Sequence, residues 1–186
     1  MRWAKPSPWI QAAALMWRDI PTRPIFSPRS LRLPPRRQSR CNVSVTVTNS
    51  SGTSSPVTAV AQMFQPAFFH WGNYAVATRT DYTLAVTAKP GEVIILWGTG
   101  FGPTSPPAPT GIVVPFGTPY NTVNAVTVTV GPAAAVVYGA ALTSGEAGLY
   151  QVAIQIPTTL ADGDYPIVAT VSGAQSPAST LITVQK

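Results

Sequence analysis

The chain of 186 residues has one cysteine, one histidine and very little charge: 10% of its residues are Asp, Glu, Lys or Arg. A single thiol, Cys41, excludes an intrachain disulfide, and a lone histidine, His70, leaves little for a metal centre or a hydrolytic triad. No Gly-x-Ser-x-Gly elbow and no His-Glu-x-x-His helix is present. No apolar run approaches the roughly 18 residues that a membrane-spanning helix needs, so no membrane span is expected. Helix formers are scarce too. The residues that dominate are Thr, Ser, Val, Ala, Pro and Gly, the composition of strands and turns.

The net charge of +6 is unevenly placed. Residues 1–41 carry nine of the twelve basic residues and one acid, a net +8, whereas residues 42–186 carry three bases and five acids, a net −2. The basic character belongs to the head, and the body offers no electrostatic reason to bind nucleic acid. Seven prolines interrupt residues 1–41, so this head is expected to be disordered. Its Ile10–Trp17 stretch, behind Arg2 and Lys5, has some features of a secretion signal but no small-residue cleavage site after it. A basic arm at Arg36-Arg37-Gln38-Ser39-Arg40 and a wrongly assigned start are the other readings of the segment.

At Asn42 the texture changes. Val43-Ser44-Val45-Thr46-Val47-Thr48 alternates with period two, Asn49-Ser50-Ser51-Gly52-Thr53 supplies a turn, and Pro56–Ala61 begins a return strand. The same order recurs at the C-terminus: Ile167–Val171, a Ser/Gly turn, Ser176-Pro177, then Thr180–Val184. The echo implies tandem modules, of which residues 42–66 are the terminal hairpin of a preceding one. A lone two-stranded hairpin is marginal in water, so it needs a sheet to pack on.

The body, 67–186, is organised around Val93-Ile94-Ile95-Leu96-Trp97, a strand expected to be buried on both faces. Further strands are predicted at 74–78, 83–87, 111–114, 125–130, 134–138, 148–156, 165–171 and 180–185. Pro103–Pro109 is expected as a stiff loop. In 150–156 the alternation puts Tyr150, Val152, Ile154 and Ile156 on the core side. Many short strands, frequent turns and no helix predict an all-β fold, an immunoglobulin-like antiparallel β-sandwich.

Ala88-Lys89-Pro90-Gly91-Glu92, Gly98-Thr99-Gly100-Phe101-Gly102-Pro103, Ala147-Gly148-Leu149-Tyr150-Gln151 with Ile156-Pro157, and Asp162-Gly163-Asp164 stand in one order along the body. In these motifs the chain resembles the C-terminal β-domain found repeatedly in large secreted proteins of Acidobacteria of the Solibacter type, and more broadly the IPT/TIG branch of immunoglobulin-like domains. The resemblance covers about 87–185, weakens over 42–86 and is absent over 1–41. It implies an exported or cell-surface protein, neighbouring immunoglobulin-like modules of a parent protein as partners, and no particular biochemical activity.

The candidate chemistry is thin. Gly98-Thr99-Gly100-Phe101-Gly102 has the glycines of a phosphate loop, but Pro103 follows where a helix N-terminus would be needed. Asp162 and Asp164, with Glu146, fall short of the six to eight oxygens that calcium takes. Neither a cofactor nor a metal is expected. The Asn42-Val43-Ser44 and Asn49-Ser50-Ser51 glycosylation patterns are short enough to arise by chance. Trp71, Tyr74, Phe116 and Tyr120 fall in predicted loops, where aromatics stack on sugars or anchor partners. Against that, Phe68, Phe69 and Trp71 would equally serve to fill a seam between modules. The sequence thus leads to a non-catalytic spacer, adhesion or assembly module that displays its loops, above all 101–123. The alternative is a carbohydrate-binding module using the loop aromatics on an extracellular polysaccharide, and a hydrolase stands third.

Overall fold

The computed structural model describes residues 40–186, apart from Val86 and Gly111. These residues are all-β, with no helix among them. The expected disorder of the head falls almost wholly outside them. Arg40 and Cys41 do not belong to it, since they open the first strand, Arg40–Val45.

That strand pairs antiparallel with Val57–Gln62, in register from Arg40↔Gln62 to Val45↔Val57. Beyond a break at 46–47, Thr48–Asn49 pairs with Gly52–Thr53 to close the hairpin. The Asn49 carboxamide oxygen accepts the Ser51 N–H, an Asx turn at the tip. Opposed residues share a face, so Cys41, Val43, Val45, Val57, Ala59 and Ala61 make an apolar side. It is exposed: Val45 and Val57 keep 46% and 66% of their surface in solvent.

The body is a β-sandwich. In one layer, Val93–Thr99 lies between Tyr150–Gln155 and the short strands Ala67–Phe68 and Ala77–Arg79. Tyr150–Gln155 continues to Ala133–Leu142. In the other layer, Val126–Val130 pairs with Gly163–Val171, which pairs in turn with Leu181–Val184. Ala133–Leu142 is long enough to serve both layers: its start pairs with Val126–Val130 and the rest with Tyr150–Gln155, across a bulge at Val137/Gly139. Most pairings are antiparallel. Leu181–Val184 departs from this, running parallel to Tyr74–Ala75 and to Thr87–Ala88.

The core lies where the layers meet. Ile94, Leu96, Val152 and Ile154 from the first layer face Val128, Ile167, Ala169, Val171 and Val184 from the second, all at 1% exposure or less. Fully burying one such side chain contributes about 1.5–3 kcal/mol. Ile95 is 2% exposed although it points to the opposite side, so the central strand is covered on both faces as its continuous apolar run predicts. Tyr150, Val152, Ile154 and Ile156 are core residues, as their alternation predicts.

Two expectations in the segment 101–123 need correction, and where a strand is predicted at 83–87 the described residues have only an isolated bridge at Leu84 and the short strand Thr87–Ala88. Residues 112–114 form no strand: Ile112 and Val113 are exposed, and only Val114 turns inward, exchanging backbone hydrogen bonds with Gly145 and Glu146. The segment 101–123 is not a freely displayed loop either. Phe101 is fully buried, and Thr104–Ser105 pairs with Tyr120–Thr122, which is itself joined to Ala133–Leu142.

Candidate functional site

Two regions merit a functional reading: the junction where the chain enters the sandwich, and a hairpin that projects from its edge.

At the junction, four residues, 63–66, separate the end of strand Val57–Gln62 from the start of Ala67–Phe68. Met63 is exposed, but Phe64 is buried. The Gln65 N–H donates to the Gly100 carbonyl at 3.0 Å, and its side chain accepts the Gln62 amide at 2.8 Å. Gly100 and Gly102 have φ of +78° and +91°, a conformation that only glycine adopts readily. Both also lack the room for a methyl group, the first against the Gln65 carbonyl and the second against the Phe64 ring. Phe101 between them packs on Phe68 and Tyr150, with ring centroids 5.8 and 5.5 Å away. Tyr150 donates its hydroxyl to the Gly102 carbonyl at 2.5 Å. The glycine motif that resembled a phosphate loop is therefore a clasp on the incoming chain, and a strand rather than a helix follows it.

The second region is the hairpin 69–76. His70–Trp71 and Tyr74–Ala75 pair across Gly72 and Asn73, so Trp71 stands opposite Tyr74. Gly72 has φ +58°, as the first central residue of a type II′ turn requires. His70 donates from Nδ1 to the Gly72 carbonyl at 2.6 Å, which sets its tautomer. The base is tied by Phe69 N–H to Trp97 carbonyl, Trp97 N–H to Val76 carbonyl and Val76 N–H to Phe69 carbonyl. The tip is tied by Leu181 N–H to Asn73 carbonyl at 2.7 Å.

Alternation places Phe69, Trp71 and Tyr74 on one face of this hairpin. They are 47%, 88% and 42% exposed. Tyr74 donates its hydroxyl to Asp164 Oδ2 at 2.9 Å, and Thr183 donates to Asp164 Oδ1 at 2.6 Å. These two donors, Thr183 first, hold the Asp164 carboxyl below its usual range. The same contact with Asp164 raises the Tyr74 hydroxyl above its usual value.

The four aromatics singled out by sequence thus separate. Trp71 and Tyr74 meet as a cross-strand pair, on short strands rather than in loops. Phe116 sits at another corner, over Gly145. Tyr120 is a correction: it is 9% exposed, on a strand and within the core cluster, so it cannot serve as a displayed ligand contact. Of the three proposed seam residues, Phe68 is buried within the sandwich, while Phe69 and Trp71 are exposed. Phe64 is the aromatic that occupies the junction. Sequence reasoning missed Phe69, Asp164 and Thr183 as neighbours of the pair. Phe69 had a signal in its i, i+2 spacing to Trp71. Asp164 and Thr183 had none, because only the strand register brings them there.

Among the described residues, no three His, Cys, Asp or Glu side chains converge as a metal ion would need. A shallow depression of about 400 Å³ between Ala133–Val136 and Gln155–Thr159 has no ionisable side chain in its lining.

No protein-family model and no curated protein matches the chain. Among solved structures, the chain is similar to SGBP-B of the Bacteroides ovatus mixed-linkage glucan utilization locus, solved in complex with a mixed-linkage heptasaccharide. The identity is 14% and the TM-score 0.37, over 80% of this chain and 30% of that one. The chain thus spans less than a third of that protein's length, and a likeness of this degree carries no argument about ligand or function.

Proposed function

We propose that this chain is a non-catalytic immunoglobulin-like module of an exported or cell-surface protein, one of a row of such modules, acting as a stiff spacer or assembly element. The observation that carries this is the clasp on residues 64–65. A four-residue connection with one ring buried and one backbone amide bonded to the sandwich is anchored at 64–65, which restricts how far the hairpin can turn against the sandwich. The repeat of the hairpin pattern at 167–184 supports its origin in a neighbouring module of the same kind. There Ile167, Ala169, Val171 and Val184 are fully buried against the opposite layer; in the first copy, Val43, Val45 and Val57 await such a layer. The resemblance to the Solibacter-type, IPT/TIG-related domains supports export.

A second reading, recognition of polysaccharide, is favoured by the 88% exposure of Trp71. Any catalysis would fall to His70, whose Nδ1 proton goes to the turn of its own hairpin and whose Nε2 is left as the base. A broad hydrolase screen of the folded chain tests this directly. Absence of turnover agrees with the proposal, and turnover abolished by His70→Ala overturns it.

A further inference from the structure

We propose that the 69–76 hairpin is a binding site for a neutral polysaccharide, with Trp71 stacking on the apolar face of a pyranose ring and Asp164 accepting hydrogen bonds from its hydroxyls. This stands on observations separate from those that support the spacer reading.

A tryptophan left 88% in solvent exposes a large apolar ring that a merely structural role would bury. The backbone that carries it is fixed. The II′ turn, the His70–Gly72 bond and the three backbone bonds to Trp97 and within the hairpin set it before any ligand arrives, so only the two side-chain torsions of Trp71 remain to be ordered on binding. Phe69 and Tyr74 on the same face extend the platform along the hairpin.

The polar rim decides between ligand classes. A sugar ring presents C–H groups on its face and hydroxyls at its edge, so it needs an aromatic plane beside hydrogen-bond acceptors. Asp164 is exposed and ionised, and its two bonds from Tyr74 and Thr183 use one lone pair on each oxygen, leaving the others for ligand hydroxyls. Tyr74 joins the two halves: its ring lies beside Trp71 and its hydroxyl orients the carboxylate. A protein partner of ordinary affinity covers about 800 Å² per side around an apolar centre, whereas here the apolar row is one side chain wide and bordered by a carboxylate. Nucleic acid would also stack on Trp71, but its phosphates would be repelled by Asp164 and by a body of net charge −2. The same repulsion disfavours acidic polysaccharides.

Affinity electrophoresis of the full chain tests the site, in gels containing a soluble β-glucan, a xylan, a galactomannan, an α-glucan or, as the acidic arm, alginate. The expected result is retardation by at least one neutral polymer; alginate should hold the basic head, so there the site predicts retardation that Trp71→Ala does not change. Trp71→Ala should weaken that retardation about tenfold or more, with its circular dichroism unchanged. Asp164→Asn should weaken it less, and Phe116→Ala should leave it as it was. Failure of every neutral gel, undiminished retardation of Trp71→Ala in a neutral gel, or alginate retardation that Trp71→Ala abolishes would each overturn the site. None of these outcomes would touch the spacer reading, which has its own measurement in the tumbling of the hairpin.

Discussion

The ring of Phe64 lies against Gly102 so closely that a methyl group on the glycine would overlap it. The incoming chain and the loop that follows the central strand are fitted to each other at this point, and no other residue type suits the second position. Gly102→Ala adds a positive-φ penalty to the clash. It should cost about 2 kcal/mol or more, read as a lower urea midpoint at unchanged slope. Hydrogen exchange at residues 62–66 should accelerate by more than the global loss of stability accounts for. Tyr150→Phe, which removes only the bond to the Gly102 carbonyl, should cost about 1 kcal/mol.

Asp164 and Tyr74 shift in opposite directions, and the hydrogen bond they share contributes to both. The Asp164 carboxyl is lowered by Thr183 first and Tyr74 second. Its contribution to stability is therefore complete above the unfolded value of about 3.9 and is lost as pH falls through the lower folded value. The Tyr74 hydroxyl is raised, mainly by its bond to Asp164. Its contribution is complete below about pH 10 and is lost as pH rises through the folded value. In an NMR titration, Thr183→Val should move the Asp164 carboxyl upward further than Tyr74→Phe does.

Arg79 ties three segments together. Its Nε meets Glu92 Oε1 at 2.7 Å, while its two terminal nitrogens donate to the Leu84 and Thr87 carbonyls at 2.7 and 3.1 Å. Glu92 also accepts the Lys89 N–H at 2.7 Å. A lysine keeps the charge but not the planar fork that reaches both carbonyls. Arg79→Lys should cost about 1 kcal/mol, the half-exposed setting keeping the loss modest. Faster exchange across 83–88 should accompany it.

Much of the framework was legible because burial follows from short-range pattern. The Val93–Trp97 run is apolar without interruption, so a strand covered on both faces was the economical reading. Elsewhere the pattern misled. Gly111–Val114 looks like a strand in the sequence, yet residues 112–114 join no sheet, and a single residue, Val114, reaches the core and bonds to Gly145 and Glu146. Tyr120 reads as a loop residue in the sequence, lying between the strands predicted at 111–114 and 125–130. Its place in the core depends on pairing with Thr104–Ser105 and Ala133–Leu142, which no local signal announces. Half the hairpin site was visible in Trp71 and Tyr74. The carboxylate beside them depends on Asp164↔Thr183 register and on the parallel pairing of Tyr74 with Leu181, both long-range. Gly98–Gly102 was recognisable as a special backbone but not as a clasp, since Phe64 and Gln65 lie more than 30 residues earlier in the chain.

Surface and core aromatic or aliphatic residues should behave oppositely on truncation. Trp71→Ala removes a side chain that buries almost nothing, so the unfolding midpoint should stay within about 0.5 kcal/mol of the parent. Leu96→Ala, at a position with no exposure, should cost about 2–5 kcal/mol. A large loss from Trp71→Ala would mean that the ring supports the fold and is not held out for a ligand.

The central claim is that the sandwich grips the hairpin ahead of it and holds the two as one body. Backbone ¹⁵N relaxation of the full chain measures this directly, comparing strands Arg40–Val45 and Val57–Gln62 with Val93–Thr99 and Tyr150–Gln155. A common rotational correlation time, lost for the hairpin in Gly102→Ala while the sandwich stays folded, is the predicted result. A shorter correlation time for the hairpin in the unaltered protein would contradict the account, because the 63–66 connection would then be a loose tether.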